Sequence, residues 1–172
     1  TARVLALWPE RNRFETHGPP LPGLVRRALR QLRADPDGFF LVVEQEQTDG
    51  GGHGNRLDLV RSGVAELDAA VQEALAFAAA DGQTLVLVTA DHDTGGVSIV
   101  EGKYDEGTAE VRWNTFGHTA AWVPLFAAGP GAWAFTGTYE NTAVPRRLAA
   151  RLGLEDFPTP VESPRPVQVE GQ

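Results

Sequence analysis

Two short apolar runs stand out along the chain, Gly38-Phe-Phe-Leu-Val-Val-Glu44 and Thr84-Leu-Val-Leu-Val-Thr-Ala-Asp91. Each is bounded by turn-forming residues and is apolar at consecutive rather than alternate positions. That pattern predicts strands covered on both faces, as in a parallel α/β sheet. Between them Leu57, Val60, Val64, Leu67, Val71, Leu75 and Ala78 recur at steps of three and four. An amphipathic helix follows, ending near Asp81-Gly82, and with the two strands it makes a βαβ unit.

An earlier helix is marked by Leu24, Val25, Ala28, Leu29 and Leu32, after Gly18-Pro-Pro-Leu-Pro-Gly23. Its Arg26, Arg27, Arg30 and Arg33 read as a solvated face. Val97 to Val100, Ala109 to Trp113 and Val123 to Ala128 predict further strands. Asn141 to Leu152 predicts a closing helix that tolerates Pro145 only in its first turn. The folded region is expected over 1–154, and the prolines at 158, 160, 164 and 166 mark 155–172 as a flexible tail.

Composition narrows the chemistry. The 172 residues carry a formal net charge of −8, which argues against a nucleic-acid backbone as partner. The chain has no cysteine, so a metal must be held by His, Asp and Glu. No apolar run is long enough to span a bilayer.

Both apolar runs deliver polar groups at their carboxyl ends, where open α/β sheets gather ligands. The first leads through Glu44-Gln-Glu-Gln-Thr-Asp49 to Gly50-Gly-Gly-His53, and the second into Asp91-His92-Asp93. Three glycines in a row predict a loop, not a helix, each being about 1 kcal/mol worse than alanine in a helix. That loop would turn Asp49 and His53 onto one point. Imidazole and carboxylate groups together suit zinc, and Glu44 suits magnesium. Glu46 and His17 read as loop residues, and Arg56 and Arg112 as surface charge.

These strings resemble the C-terminal part of alkaline phosphatases. The strand ending in Glu44, the Asp49 to His53 spacing and Thr84 to Gly96 match the family's pattern. Gly117-His118-Thr119, Val123 to Pro130 and Phe135 to Thr142 are similar to its closing segments. The likeness runs from about Val4 to Leu154. Two departures are Glu44-Gln45-Glu46, where the family has glycine after the glutamate, and Thr48 in place of an apolar residue. The 25 residues between His92 and His118 leave no room for a large inserted cap.

The resemblance implies an α/β chain, the C-terminal part of a three-layer α/β/α fold with a largely parallel central sheet. It implies two zinc ions, one on Asp49, His53 and His118 and one on Asp91 and His92, with a magnesium on Glu44. Their expected use is hydrolysis of phosphate monoesters. No serine here has the family's nucleophile setting: Ser62 falls in the long helix, Ser98 in a strand and Ser163 in the tail. The nucleophile is therefore expected on an upstream N-terminal half of the same enzyme, this chain alone being inactive. A homodimer and a periplasmic or secreted location are also implied. A non-catalytic metal-binding remnant, or a two-metal hydrolase of phosphodiesters or sulfate esters, are the competing readings.

Overall fold

The computed structural model describes residues 19–154 and 157. Its order is α1 (Leu21–Leu32), α2 (Gln47–His53), α3 (Leu57–Asp81), β1 (Val86–Thr89), β2 (Asp93–Thr94), β3 (Ser98–Lys103), β4 (Thr108–Arg112), β5 (His118–Thr119), β6 (Leu125–Ala128), a 3-10 turn (Ala132–Phe135) and α4 (Ala143–Arg151). The predicted proline-rich tail and His17 lie outside the described residues, Phe157 apart. The chain divides into two compact units, with the division along the sequence between Ala132 and Trp133.

In the first unit the amphipathic pattern has produced α3, with Ala70 facing Val25 and Leu29 of α1 to form a small core. Leu21, Phe39, Leu41 and Phe77 pack around it, and the rings of Phe39 and Phe77 meet edge to face at 5.9 Å. Burying such side chains contributes roughly 1.5–3 kcal/mol each when complete. The helix stops at Gly82, whose φ of 73° is left-handed and open to glycine without strain. Its amide closes the last turn on the Ala78 carbonyl at 2.8 Å.

Glu66 of α3 acts as a bracket. Its carboxylate accepts from the Leu21 amide at the start of α1 and from Gln45 Nε2, at 2.9 and 2.7 Å. Those two bonds fix the approach to α2 against the long helix. Arg26 of α1 pairs with Glu73 of α3, its Nε donating at 2.9 Å, and this side of α1 is the solvated arginine face that the sequence indicated.

One expectation is corrected here. Gly38 to Glu44 takes no ladder partner among the described residues and is not buried on both faces. Phe39 and Leu41 turn to the core while Phe40 and Val42 stand 62% and 74% exposed, because only one side has α1 and α3 against it. The ladders among the described residues do not include the expected parallel pairing. Each of the three two-stranded sheets is antiparallel: β1 with β6, β2 with β5, and β3 with β4. In the β1/β6 pair Val86 faces Ala128 and Thr89 faces Leu125.

The second unit holds α4, with Pro145 in its first turn as its missing amide requires. Tyr139 donates its hydroxyl to the Phe135 carbonyl at 2.9 Å, and the Arg147 guanidinium lies 3.6 Å from the Tyr139 ring centre. Arg147 also donates to the Ala134 carbonyl at 2.6 Å.

Candidate metal centre

The three glycines expected to forbid a helix lie inside one. Gln47–His53 is α2, and the turn of helix sets Asp49 and His53 on the same face, four residues apart. The glycines are tolerated because close packing replaces what they lack in propensity. A methyl group on Gly51 would meet Val60 at 2.9 Å, and one on Gly52 would meet the Thr94 carbonyl at 2.7 Å. Absent side chains thus let α2 lie directly on α3 and β2. Thr48, the odd residue of the sequence comparison, bonds its hydroxyl to the Gln45 carbonyl at 3.1 Å.

Just beyond α2, Asn55 adopts a φ of 50°, which asparagine tolerates better than most residues. Its amide nitrogen reaches the Thr115 carbonyl at 2.9 Å and the Gly52 carbonyl at 3.0 Å. Gly95, at φ 85°, accepts from Asn114 and Thr115 and donates to the Gly117 carbonyl. A side chain there would strike the Trp113 ring at 2.6 Å. These bonds hold the chain from 114 to 117 across the end of α2, and so deliver His118 on β5.

Asp49, His53, His92, Asp91 and His118 come together as a result. His53 Nε2 and His118 Nε2 are 3.1 Å apart. Each lies 3.5 Å from an Asp49 oxygen, Oδ2 for His53 and Oδ1 for His118. The rings of His92 and His118 stack with centres 3.6 Å apart, and ligand atoms of Asp49, His92 and His118 all fall within 4.8 Å of one another. His92 Nε2 is 3.2 Å from Asp91 Oδ2, and the Asp91 oxygen Oδ1 accepts the His92 amide at 3.0 Å.

The donor chemistry fits a divalent cation. His53 Nδ1 lies 2.5 Å from the Phe116 carbonyl, which only accepts, so Nδ1 carries the ring proton and Nε2 is left with its lone pair. That lone pair converges with the Asp49 carboxylate and His118 Nε2. His118 Nε2, 3.1 Å away, either donates to that lone pair or shares a cation with it. Borderline metals such as zinc take this mixture of imidazole nitrogen and carboxylate oxygen. A backbone carbonyl behind a ligating imidazole is also the usual means of orienting it.

Glu44 is exposed on the segment before α2. Glu46 is exposed at the helix entrance. Arg56 turns to Asp58, whose carboxyl its hydrogen bond holds below the ordinary range, and so serves the start of α3 rather than the cluster. Ser62 faces solvent on α3, bonded to the Leu59 carbonyl at 3.0 Å, and Ser98 opens β3; Ser163 lies outside the described residues. Sequence reasoning gave Asp93, Thr94 and Thr119 no role. Thr94 donates to Asp49 Oδ1 at 2.6 Å, and Asp93 Oδ2 accepts from Thr119 Oγ1 at 2.6 Å and from the Gly96 amide at 3.1 Å. Their only signal was membership of the Asp91 to Gly96 and Gly117 to Thr119 strings.

An α/β chain with a His/Asp cluster gathered beside its strand ends defines a candidate metalloprotein of α/β class. The profile of the family described as Alkaline phosphatase matches residues 7–105, and the chain belongs to that family. It is 32% identical to alkaline phosphatase H of Pseudomonas aeruginosa (strain UCBPP-PA14), covering 80% of this chain and 32% of that protein. Alkaline phosphatase 3 of Bacillus subtilis (strain 168) is 43% identical over 47% of this chain and 18% of its own length. Among solved structures, the alkaline phosphatase of the Antarctic bacterium TAB5 superposes with a TM-score of 0.72 at 36% identity, over 78% of this chain and 41% of that one. A variant of the TAB5 enzyme, described with Mg bound in its M3 site, gives 0.71 at 33% identity over 84% and 42%. The fold is therefore the α/β fold of alkaline phosphatases, and the chain spans about a third of the Pseudomonas protein's length. Among the described residues no helix is long and apolar enough to cross a membrane.

Proposed function

We propose that this chain supplies most of the metal ligands of a zinc- and magnesium-dependent phosphate monoester hydrolase, and not its serine nucleophile. Asp49, His53 and His118 form one zinc group, Asp91 and His92 a second, and Glu44 a magnesium ligand. The observation that carries the reading is the meeting of His53 Nε2, His118 Nε2 and the Asp49 carboxylate within 3.5 Å of one another. The stacking of His92 on His118 makes the two groups neighbours, which agrees with two-metal hydrolases, whose ions sit roughly 3.5–4 Å apart. The TAB5 variant's bound magnesium supports the third ion.

Bound metals would supply positive charge opposite the attacking and leaving oxygens of a phosphoryl group. The chain's own residues orient that charge. The Phe116 carbonyl holds His53 with Nε2 forward, α2 presents Asp49 beside it, and β5 brings His118 from the other side. Side chains locked in this way lose little freedom when a substrate arrives, which is how positioning lowers a barrier. The nucleophile comes from another part of the enzyme, since Ser62 is committed to its own helix.

The test is hydrolysis of a chromogenic phosphate monoester, with phosphodiester and sulfate ester probes beside it. Asp49→Ala and His53→Ala in the complete enzyme are expected to abolish monoester turnover while circular dichroism stays unchanged. This chain alone, given zinc and magnesium, is expected to be inactive. Wild-type turnover in either variant overturns the ligand assignment, and preference for a diester or sulfate ester overturns the substrate class.

A further inference from the structure

We propose that Thr94 is a positioning residue that orients one ligand in each of the two zinc groups through a single hydroxyl. The inference rests on the metal reading above. Thr94 Oγ1 lies 2.6 Å from Asp49 Oδ1 and 3.3 Å from His92 Nδ1. A hydroxyl has one proton to donate, and an ionised carboxylate can only accept. The proton therefore goes to Asp49, and the hydroxyl's lone pair faces His92. That selects the ring form of His92 with hydrogen on Nδ1, leaving Nε2 free beside Asp91 Oδ2 at 3.2 Å.

The threonine is itself held on two sides. Its backbone pairs with His118 in the β2/β5 ladder, and the neighbouring Asp93 carboxylate bonds to Thr119 and the Gly96 amide. On the other side α2 presses so close that a methyl on Gly52 would stand 2.9 Å from Thr94 Cβ. The Thr94 backbone is thereby fixed between α2 and β5, and its hydroxyl sits on Asp49. The Asp93-Thr94 pair is thus a joint between α2, which carries Asp49, and β5, which carries His118.

Zinc binding by this chain, followed by competition with a chromophoric chelator, tests the assignment in wild type, Thr94→Val and Thr94→Ser. Loss of a hydrogen bond behind a ligand typically weakens metal binding 10–100-fold, and about that loss is expected for both equivalents in Thr94→Val, with Thr94→Ser restoring it. Ring nitrogen chemical shifts supply the second readout: His92 is expected as the Nδ1–H form in wild type and Thr94→Ser, and as a mixture in Thr94→Val. Should the valine variant not fold, Thr94→Ala against Thr94→Ser makes the same comparison. Equal affinity and an unchanged His92 ring in the variant lacking the hydroxyl overturn the role of Thr94 while leaving the metal reading intact. No zinc binding by the wild type overturns both.

Discussion

His53 and His118, 65 residues apart in sequence, bring their Nε2 atoms to 3.1 Å. The Phe116 carbonyl behind His53 keeps that ring's proton on the far nitrogen. Two ring nitrogens so arranged, with an Asp49 oxygen 3.5 Å from each, make a pair that a cation stabilises.

Zinc is accordingly expected to raise the melting temperature of this chain. At a concentration a hundred times the Kd, a ligand of the native state adds about 2.7 kcal/mol to stability. Differential scanning calorimetry with zinc and then with a chelator measures the gain and its reversal. His53→Ala is expected to lose the gain, and an undiminished zinc shift in that variant counts against the site.

The glycines of α2 are expected to respond oppositely to alanine. Nothing lies within 4 Å of a methyl group on Gly50, so Gly50→Ala gains up to about 1 kcal/mol from helix propensity. Gly52→Ala meets the Thr94 carbonyl at 2.7 Å and is expected to cost about 1–3 kcal/mol, as overpacking does. Urea unfolding of the two variants checks the contrast; equal shifts would refute the close approach of α2 to β2.

The Arg26 to Glu73 bridge joins α1 to α3, and the arginine's hydrogen bond holds the Glu73 carboxyl below its ordinary value. A carboxyl lowered on folding stabilises fully above its unfolded value of 4.5, and that contribution is lost as the pH falls through the lower native value. Both groups face solvent, so the effect is small and screened by salt. Stability measured from pH 6 down to about pH 3 is expected to fall slightly less steeply in Glu73→Gln than in wild type at low ionic strength.

Exposed Phe40 and Val42 predict self-association of the isolated chain, or its capture by a complementary part of the enzyme. Light scattering after size exclusion is expected to show larger species at high concentration, reduced by Phe40→Ser with Val42→Thr. A monomeric wild type at every concentration would remove this expectation.

Local pattern was enough for α1, α3 and α4. The three- and four-residue spacing from Leu57 to Ala78 and the stop at Gly82 became α3, since periodicity and a left-handed glycine cap are properties of neighbouring residues. The same spacing logic failed at α2. Helix propensity alone disfavours Gln47–His53, and only contact with Val60 and Thr94 makes bare glycines an advantage. The two-residue strands β2 and β5 carry no period to read, being defined by pairing Thr94 with His118.

The sequence by itself determined the long helix, the family resemblance and the residue types a metal would need, because these depend on local spacing and on chemical identity. Only the tertiary structure decided that Asp49 and His53 share a helical face, that His118 returns opposite them, and that one threonine hydroxyl stands between Asp49 and His92. Those relations join residues distant along the chain, and they exist only where close packing brings the backbones together.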